Sequence, residues 1–168
     1  MSDALRPSKT INVPVAASDA ITRLMIQYVH AIDNDELERW PQFFTAKGMY
    51  QILPRAAYEQ GHTVGVWFCD NRDMLEDRVS SVREVNIFEP HVYRHVIGPT
   101  EILEFANGVY KAQTSYIVVR TMHDGEMSVF SAGRYLDEVV IEQDTALLQK
   151  RMVITDSARF DTLVVIPL

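Results

Sequence analysis

Two histidines, His91 and His95, stand four residues apart in the stretch HVYRH, a spacing that raises the question of a shared metal ion. Pro90 precedes the stretch, Gly98 and Pro99 follow its extension, and β-branched residues lie within it, which favours a β-strand over a helix. In a strand the two imidazoles share a face but lie about 13 Å apart, at roughly 3.3 Å per residue. The sequence therefore predicts that they do not bind one metal ion together.

His95 could still act as a single imidazole in acid–base chemistry if a carboxylate lies beside it. We expect His95 to face the mouth of a cone-shaped fold, where Asp33 is a candidate partner and Tyr28, Tyr50 or Tyr116 could flank the pair. Asp33, His95 and Tyr50 would then form the catalytic site of a small dehydratase or isomerase. The alternative is a hydrogen-bonded histidine of the core or of an interface, and this is the interpretation that we favour from the sequence.

Metal and cofactor motifs are otherwise missing from the sequence. The single cysteine, Cys69, rules out an internal disulfide and any zinc or iron–sulfur site built from several thiolates. The acidic cluster Asp33, Asp35, Glu36 and Glu38 lacks the alternating ligands and the glycine of a calcium loop, and the spacing of Asp35 and Glu38 favours a capping box instead. We therefore expect no catalytic, cofactor or metal site in this chain, apart from the alternative above.

Composition and charge limit the partners of the chain. Its 168 residues are 47% hydrophobic, as expected of one domain with one core. Sixteen basic and 23 acidic residues give a net charge of −7, which disfavours nucleic acid and anionic membranes. No apolar run reaches the roughly 20 residues of a membrane span, and residues 1–10 lack the hydrophobic block of a signal peptide. A cytoplasmic protein is the expectation.

Hydrophobic spacing predicts helices in the first half of the chain. Residues 1–17 are expected to form an N-terminal arm and 18–168 a single domain, which starts with a helix capped by Ser18. His30 lies opposite the apolar face of this helix and is expected at the surface. The apolar face consists of Ile21, Leu24, Met25, Tyr28, Val29 and Ile32.

A further helix is predicted after Asp70, and on it Arg78 points into the apolar stripe. The stripe consists of Met74, Leu75, Val79 and Val82. Arg78 either packs its stem there and reaches water, or is buried and paired with a carboxylate. In the second case, Arg78→Met should change the stability by several kcal/mol.

The second half of the chain alternates like hairpin-linked strands, with an Asp124–Gly125 turn and a bend or bulge at Gly133. The apolar end, 162–168, is expected to be buried or covered by another subunit. Helices followed by strands predict an α+β fold, a cone in which a curved antiparallel sheet wraps around the N-terminal helices. Strands are expected over 48–54, 64–69, 91–97, 108–122, 126–142 and 147–157.

An ordered set of stretches resembles a known family: IDNDELERWPQFFT, DMLEDRVSSVRE, the YRH of HVYRH, AGRYLD and DTLVVIPL. The chain is similar to the small, or beta, subunit of Rieske-type aromatic-ring-hydroxylating dioxygenases, from about residue 20 to the end. The resemblance is strongest to subunits that accompany aromatic-acid oxygenases, such as those for terephthalate, salicylate or benzoate.

The resemblance implies a fold of the nuclear-transport-factor and ketosteroid-isomerase type and a structural role without an active site. It also implies a homotrimer beneath three alpha subunits, an α3β3 hexamer. The alpha subunits would hold the Rieske [2Fe–2S] cluster and the mononuclear iron, and electrons would come from NADH through a reductase. Arg94 is a candidate interface residue. The alternatives are the free-standing dehydratase or isomerase and a carrier of small ligands that uses the same pocket.

Overall fold

The computed structural model describes residues 11–63, 65–84 and 88–168. Three α-helices and a 3₁₀ helix alternate with the first strands, and five consecutive strands follow. None of the described helices is long and apolar enough to span a membrane. In chain order the elements are α1 (Val15–Asp33), the 3₁₀ helix (Leu37–Phe43), β1 (Phe44–Pro54), α2 (Arg55–Glu59), β2 (Trp67–Cys69), α3 (Arg72–Glu84), β3 (His91–Ile97), β4 (Glu101–Ala106), β5 (Val109–Met122), β6 (Met127–Glu142) and β7 (Thr145–Thr155).

One curved sheet carries the fold, with strand order β2-β1-β7-β6-β5-β3 and with β4 paired to β5. The hairpin-linked strands are antiparallel, as predicted, but β1 and β7 are parallel. A tight turn forces its two strands to run in opposite directions, whereas β1 reaches β7 only through the intervening elements and is free to run alongside it. Strand β4 was not predicted from the sequence.

Helix α1 begins at Val15, earlier than the expected start at Ser18. The carbonyl of Pro14 accepts the backbone N–H groups of Ala17 (3.0 Å) and Ser18 (3.1 Å), so Ser18 lies inside the first turn and does not cap the helix. The helix thus includes residues 15–17 of the predicted arm, whose first ten residues lie outside the described part of the chain. The division into arm and domain stays a prediction.

Asp35 and Glu38, two of the acidic residues after α1, are bound by one arginine and do not cap a helix. The 3₁₀ helix has no side-chain cap. Instead, Arg83 of α3 donates to the Asp35 carboxylate and to Glu38, both at 2.8 Å. The hydrogen bond from Arg83 also lowers the pKa of Glu38. The capping-box prediction was wrong, because these carboxylates tie the end of α1 to α3.

The cap of α3 lies one residue later than predicted. The Asn71 side-chain oxygen accepts the backbone N–H of Met74 at 2.9 Å, whereas Asp70 accepts only from the Asn71 amide. The helix buries Leu75, Val79 and Val82, while Met74 is exposed. Three of the four positions in the predicted stripe therefore reach the core.

Arg78 takes the solvent-reaching conformation. It is exposed, its guanidinium carbon lies 5.0 Å from the centroid of the Trp67 ring, and it forms no ion pair with any described residue. The hypothesis of a buried, paired Arg78 was wrong. The long stem lets the charge pass over the aromatic ring and reach water.

Replacing Arg78 by methionine is expected to change the free energy of unfolding by about 1 kcal/mol or less, since an exposed cation–π contact contributes about 0.5–1 kcal/mol. Urea denaturation followed by circular dichroism measures the difference. A loss of about 3 kcal/mol or more would mean that the guanidinium has a buried partner.

Gly133 marks a close approach of two strands, and neither of the register shifts of β6 occurs there. A Cβ atom at this position would lie 2.0 Å from the carbonyl oxygen of Ile154 on β7. A side chain would therefore force β6 and β7 apart.

The C-terminal segment is buried by its own chain. The Leu168 carbonyl accepts hydrogen bonds from the hydroxyls of Tyr28 (3.0 Å) and Tyr50 (3.1 Å), and the indole N–H of Trp67 donates to the Val164 carbonyl at 3.0 Å. Val164, Val165 and Leu168 are buried, which confirms burial for most of this segment. The C-terminal segment thus packs against the buried aromatic side chains Tyr28, Tyr50 and Trp67.

Candidate functional site

The structure brings together two of the predicted site residues, Asp33 and His95. Asp33 ends α1, and His95 lies on the inner face of β3. The imidazole Nδ1 lies 2.6 Å from one carboxylate oxygen of Asp33, and the other oxygen accepts the backbone N–H of His95 at 2.9 Å. The side chains of Asp33 and His95 are only 1% and 0% exposed.

The Asp33 carboxylate also closes an edge of the sheet. Strand β3 ends the strand order, so alternate backbone groups of β3 point away from β5. The backbone N–H of His95 is one of these groups, and Asp33 satisfies it. One carboxylate therefore fixes both the edge strand and the imidazole to the end of α1.

Access to the pair is restricted. A cavity of about 380 Å³ is lined by Asp33, His91 and Tyr93, but His95 does not line it. The Nε2 atom of His95 is buried and has no hydrogen-bond partner among the described residues. A substrate would need a path to this atom, and the cavity beside Asp33 does not provide one.

Tyr50, the third predicted member of the site, lies elsewhere. Its hydroxyl bonds to the backbone of Leu168, and its ring packs edge-on against Trp40 at 5.1 Å and Trp67 at 5.9 Å. It makes no hydrogen bond or ring contact with His95, so the predicted three-residue constellation does not form. Burial raises the pKa of Tyr50 well above its ordinary value, which keeps the phenol protonated at neutral pH.

The hydroxyls of Tyr28 and Tyr116 also have structural partners. Tyr28 donates to Leu168 and accepts from the indole of Trp40 at 2.9 Å, while the Tyr116 hydroxyl pairs with that of Ser131 at 2.9 Å. Burial raises the pKa of both tyrosines. Tyr28 and Tyr116 therefore have structural roles in the core.

His91 and His95, the two histidines considered as ligands of a shared metal ion, lie on one face of β3, as predicted. The ring of Tyr93 stands between them, 5.0 Å from the His91 ring and 6.3 Å from the His95 ring, centroid to centroid. His91 Nδ1 bonds to the carbonyl of Glu89 at 2.8 Å. Within 11–63, 65–84 and 88–168, no three His, Cys, Asp or Glu side chains are close enough to share a metal ion.

An ion pair that the sequence analysis missed lies at the centre of the cone. Arg151 of β7 binds Asp137 of β6 through two hydrogen bonds of 2.8 Å, and both side chains are completely buried. The guanidinium carbon lies 4.0 Å from the Tyr28 ring and 4.2 Å from the Tyr135 ring. Burial alone would lower the pKa of Arg151, but Asp137 outweighs it and raises the pKa.

The signal for this pair was present in the strand pattern. Asp137 and Arg151 are cross-strand partners, and Asp137 shares its inward parity with Tyr135 and Val139. A charged residue at an inward position of each strand of a predicted hairpin indicates a buried pair, provided that the register is known.

An apolar surface lies on the outer side of the sheet, at its β3 end. We call this surface the Arg94 face. It consists of the residues of 92–96, 117–121 and 127–132 whose side chains point outward. Five of its apolar side chains are between 44% and 68% exposed, and its one charged residue is Arg94. Its three cross-strand rows are Val92, Thr121 and Met127; Arg94, Val119 and Val129; and Val96, Ile117 and Ala132.

Comparison with known families decides where the chain belongs. Residues 27–162 match the model of the family described as "Ring hydroxylating beta subunit". The chain belongs to this family. The resemblance inferred from the ordered stretches is thereby confirmed, and the molecule is the beta subunit of an aromatic-ring-hydroxylating dioxygenase.

Curated relatives of this beta subunit match over most of their length. The anthranilate 1,2-dioxygenase small subunit of Burkholderia cepacia is 39% identical over 148 residues, which cover 88% of this chain and 92% of the relative. A terephthalate 1,2-dioxygenase terminal oxygenase component subunit beta of Comamonas is also 39% identical, with 84% and 92% covered.

Solved structures show the same fold. One, described as the beta subunit of an aromatic-ring-hydroxylating dioxygenase of Novosphingobium aromaticivorans, has 33% identity and a TM-score of 0.83, covering 90% of this beta subunit and 97% of that chain. The benzoate 1,2-dioxygenase beta subunit of Burkholderia mallei has 14% identity, a TM-score of 0.68 and coverage of 86% and 92%. The predicted α+β cone of the nuclear-transport-factor type is confirmed.

Proposed function

We propose that this beta subunit is a non-catalytic scaffold that holds the catalytic alpha subunits of a ring-hydroxylating oxygenase. Beyond family membership, the observation that carries the proposal is the enclosure of the Asp33–His95 pair. Both side chains are buried, and Asp33 is fully used by the imidazole and by the edge of β3. A pair in this state stabilises the fold, and the atom that would take a proton from a substrate, His95 Nε2, is buried and does not line the cavity beside Asp33.

The redox chemistry belongs to the alpha subunit in this proposal. A Rieske centre requires two cysteines and two histidines, and this chain contains one cysteine, the buried Cys69. The alpha subunit would therefore hold the [2Fe–2S] cluster and the mononuclear iron, and a reductase would supply electrons from NADH.

The proposed assembly is an α3β3 hexamer in the cytoplasm, in which three beta subunits form a homotrimer. We expect its substrate to be an aromatic acid, because the relatives are named for the oxidation of anthranilate and terephthalate. Both molecules carry a carboxylate on an aromatic ring. The choice between such acids would lie with the alpha subunit, where the ring is oxidised.

The free-standing dehydratase or isomerase is the less favoured function. The Asp33–His95 contact of 2.6 Å is the geometry that such an enzyme would need, but Tyr50 is absent from the pair and His95 does not line the cavity beside Asp33. The same enclosure disfavours a carrier that would bind its ligand through His95.

The proposal is tested by co-expressing this chain with an alpha subunit and a reductase and measuring NADH-dependent oxygen uptake with a panel of aromatic acids. Omission of the beta subunit is expected to lower both the yield of assembled alpha subunit and the oxygen uptake by on the order of 10-fold or more. Full activity without this chain would contradict the scaffold role. Turnover of a substrate by the isolated chain would favour an enzyme instead.

A further inference from the structure

The Arg94 face needs a partner, because it presents valine, isoleucine and methionine side chains at one end of a sheet. Such a cluster in water promotes association of sheets. Contact through the edge of β3 is hindered, since Asp33 already binds the outward N–H of His95. The face of the sheet, and not its edge, is therefore the surface to be covered.

The charge of the Arg94 face selects the kind of partner. The whole chain has a net charge of −7, yet none of the nine positions of this face is a carboxylate, and Arg94 is its only charged residue. The Arg94 side chain is 67% exposed, and its guanidinium forms a long ion pair of 3.6 Å with Asp33, which leaves most of the guanidinium open to a further carboxylate. A surface that combines apolar contact with carboxylates would complement it.

The outer side of α3 is such a surface on this same chain. Asp73, Glu76 and Asp77 are exposed around Met74, and none of the three forms an ion pair with a residue in the described ranges. The basic residues of α3 are engaged elsewhere. Arg72 donates to the Phe44 carbonyl, Arg78 lies over the Trp67 ring, and Arg83 binds Asp35 and Glu38.

The two surfaces lie on different parts of the fold. Helix α3 packs against β1 and β2, at one end of the strand order, whereas the Arg94 face belongs to β3, β5 and β6 at the other end. Contact between two unlike surfaces of identical chains is heterologous, and such contacts form a closed ring, for example a trimer, when the rotation between neighbouring copies closes.

We propose that the Arg94 face of one beta subunit binds the acidic outer side of α3 on the next copy of this chain. The inference rests on the proposed homotrimer and names the two surfaces that join its copies. Apolar burial on the Arg94 face supplies the attraction, and attraction between Arg94 and the carboxylates of α3 sets which surfaces meet.

A charge-swap series on the purified chain tests the contact. Val129→Glu places a carboxylate opposite the acids of α3 and should raise the apparent dissociation constant of the trimer by on the order of 100-fold, whereas Val129→Lys, which loses the same apolar contact but adds no repulsion, should raise it far less. Combining Val129→Glu with Glu76→Lys and Asp77→Lys should restore the trimer. Ile26→Glu, on the exposed side of α1, is the matched control and should have no effect.

Sedimentation velocity over a range of concentrations measures the assembly, and circular dichroism checks that each variant is folded. An intact trimer in the Val129→Glu variant would overturn the assigned surfaces and leave the scaffold role standing. A variant that still self-associates but no longer co-purifies with the alpha subunit would assign the Arg94 face to that subunit instead. If the unaltered chain neither self-associates nor co-purifies with an alpha subunit, both this inference and the proposed function are wrong.

Discussion

Replacing Arg151 by methionine is expected to lower the free energy of unfolding by about 3–5 kcal/mol, the range for breaking a buried ion pair. The variant leaves the Asp137 carboxylate completely buried and without its two hydrogen bonds to Arg151. It also removes the cation that lies between the rings of Tyr28 and Tyr135. Urea denaturation of the wild-type and variant chains measures the loss.

A double variant separates the cost of the unpaired charge from the value of the pair. Arg151→Met combined with Asp137→Leu removes both charges and should recover most of the lost stability, because apolar side chains of similar volume tolerate burial well. Arg78→Met, which removes an exposed arginine, is the matched control. A single Arg151→Met variant as stable as the wild type would show that the pair contributes nothing.

Replacing Asp33 by alanine is expected to cost about 2–6 kcal/mol, because two buried donors lose their acceptor and each unsatisfied group costs about 1–3 kcal/mol. The donors are the backbone N–H and the imidazole of His95. Asp33→Asn is the matched variant. It keeps an oxygen that can accept one of the two hydrogen bonds and should lose less.

The same variants separate a structural role for the Asp33–His95 pair from a catalytic one. In the assembled oxygenase, Asp33→Asn should leave the turnover per intact complex within about 2-fold of the wild type. If the pair has only a structural role, the substitution removes no group that takes part in the reaction. Oxygen uptake normalised to the alpha-subunit iron measures this turnover. A fall of 100-fold in a complex that remains assembled would place the pair in the chemistry.

Much of the architecture follows from local sequence patterns. Tyr110, Ala112, Thr114, Tyr116 and Val118 alternate with other residues along the sequence, a pattern that predicts a common face of one strand, and all five are buried. The β-branched residues and flanking prolines of HVYRH predicted a strand, and this assignment excludes a metal ion shared by His91 and His95 alone. These features depend on neighbours within a few residues, which is why they can be inferred without coordinates.

Contacts between distant segments could not be inferred in this way. Capping-box spacing suggested that Asp35 and Glu38 cap a helix, but Arg83, 45 or more residues away in sequence, binds both. Tyr50 was expected beside His95, and the return of Leu168 to the core instead holds its hydroxyl. In each case a partner from another element satisfies the polar group, and local spacing carries no information about that partner.

The sequence by itself determined the α+β class, the inward side of the strands and the lack of thiolates for an iron–sulfur centre. Only the tertiary structure decided that Arg151 is buried and Arg78 exposed. Arg78 lies in the predicted apolar stripe of a helix and Arg151 on the inward side of a strand, but of the two only Arg151 meets a carboxylate across a strand pair and two aromatic rings. A guanidinium can be buried only where a carboxylate and other suitable partners surround it. The strand register decides whether those partners lie next to the arginine.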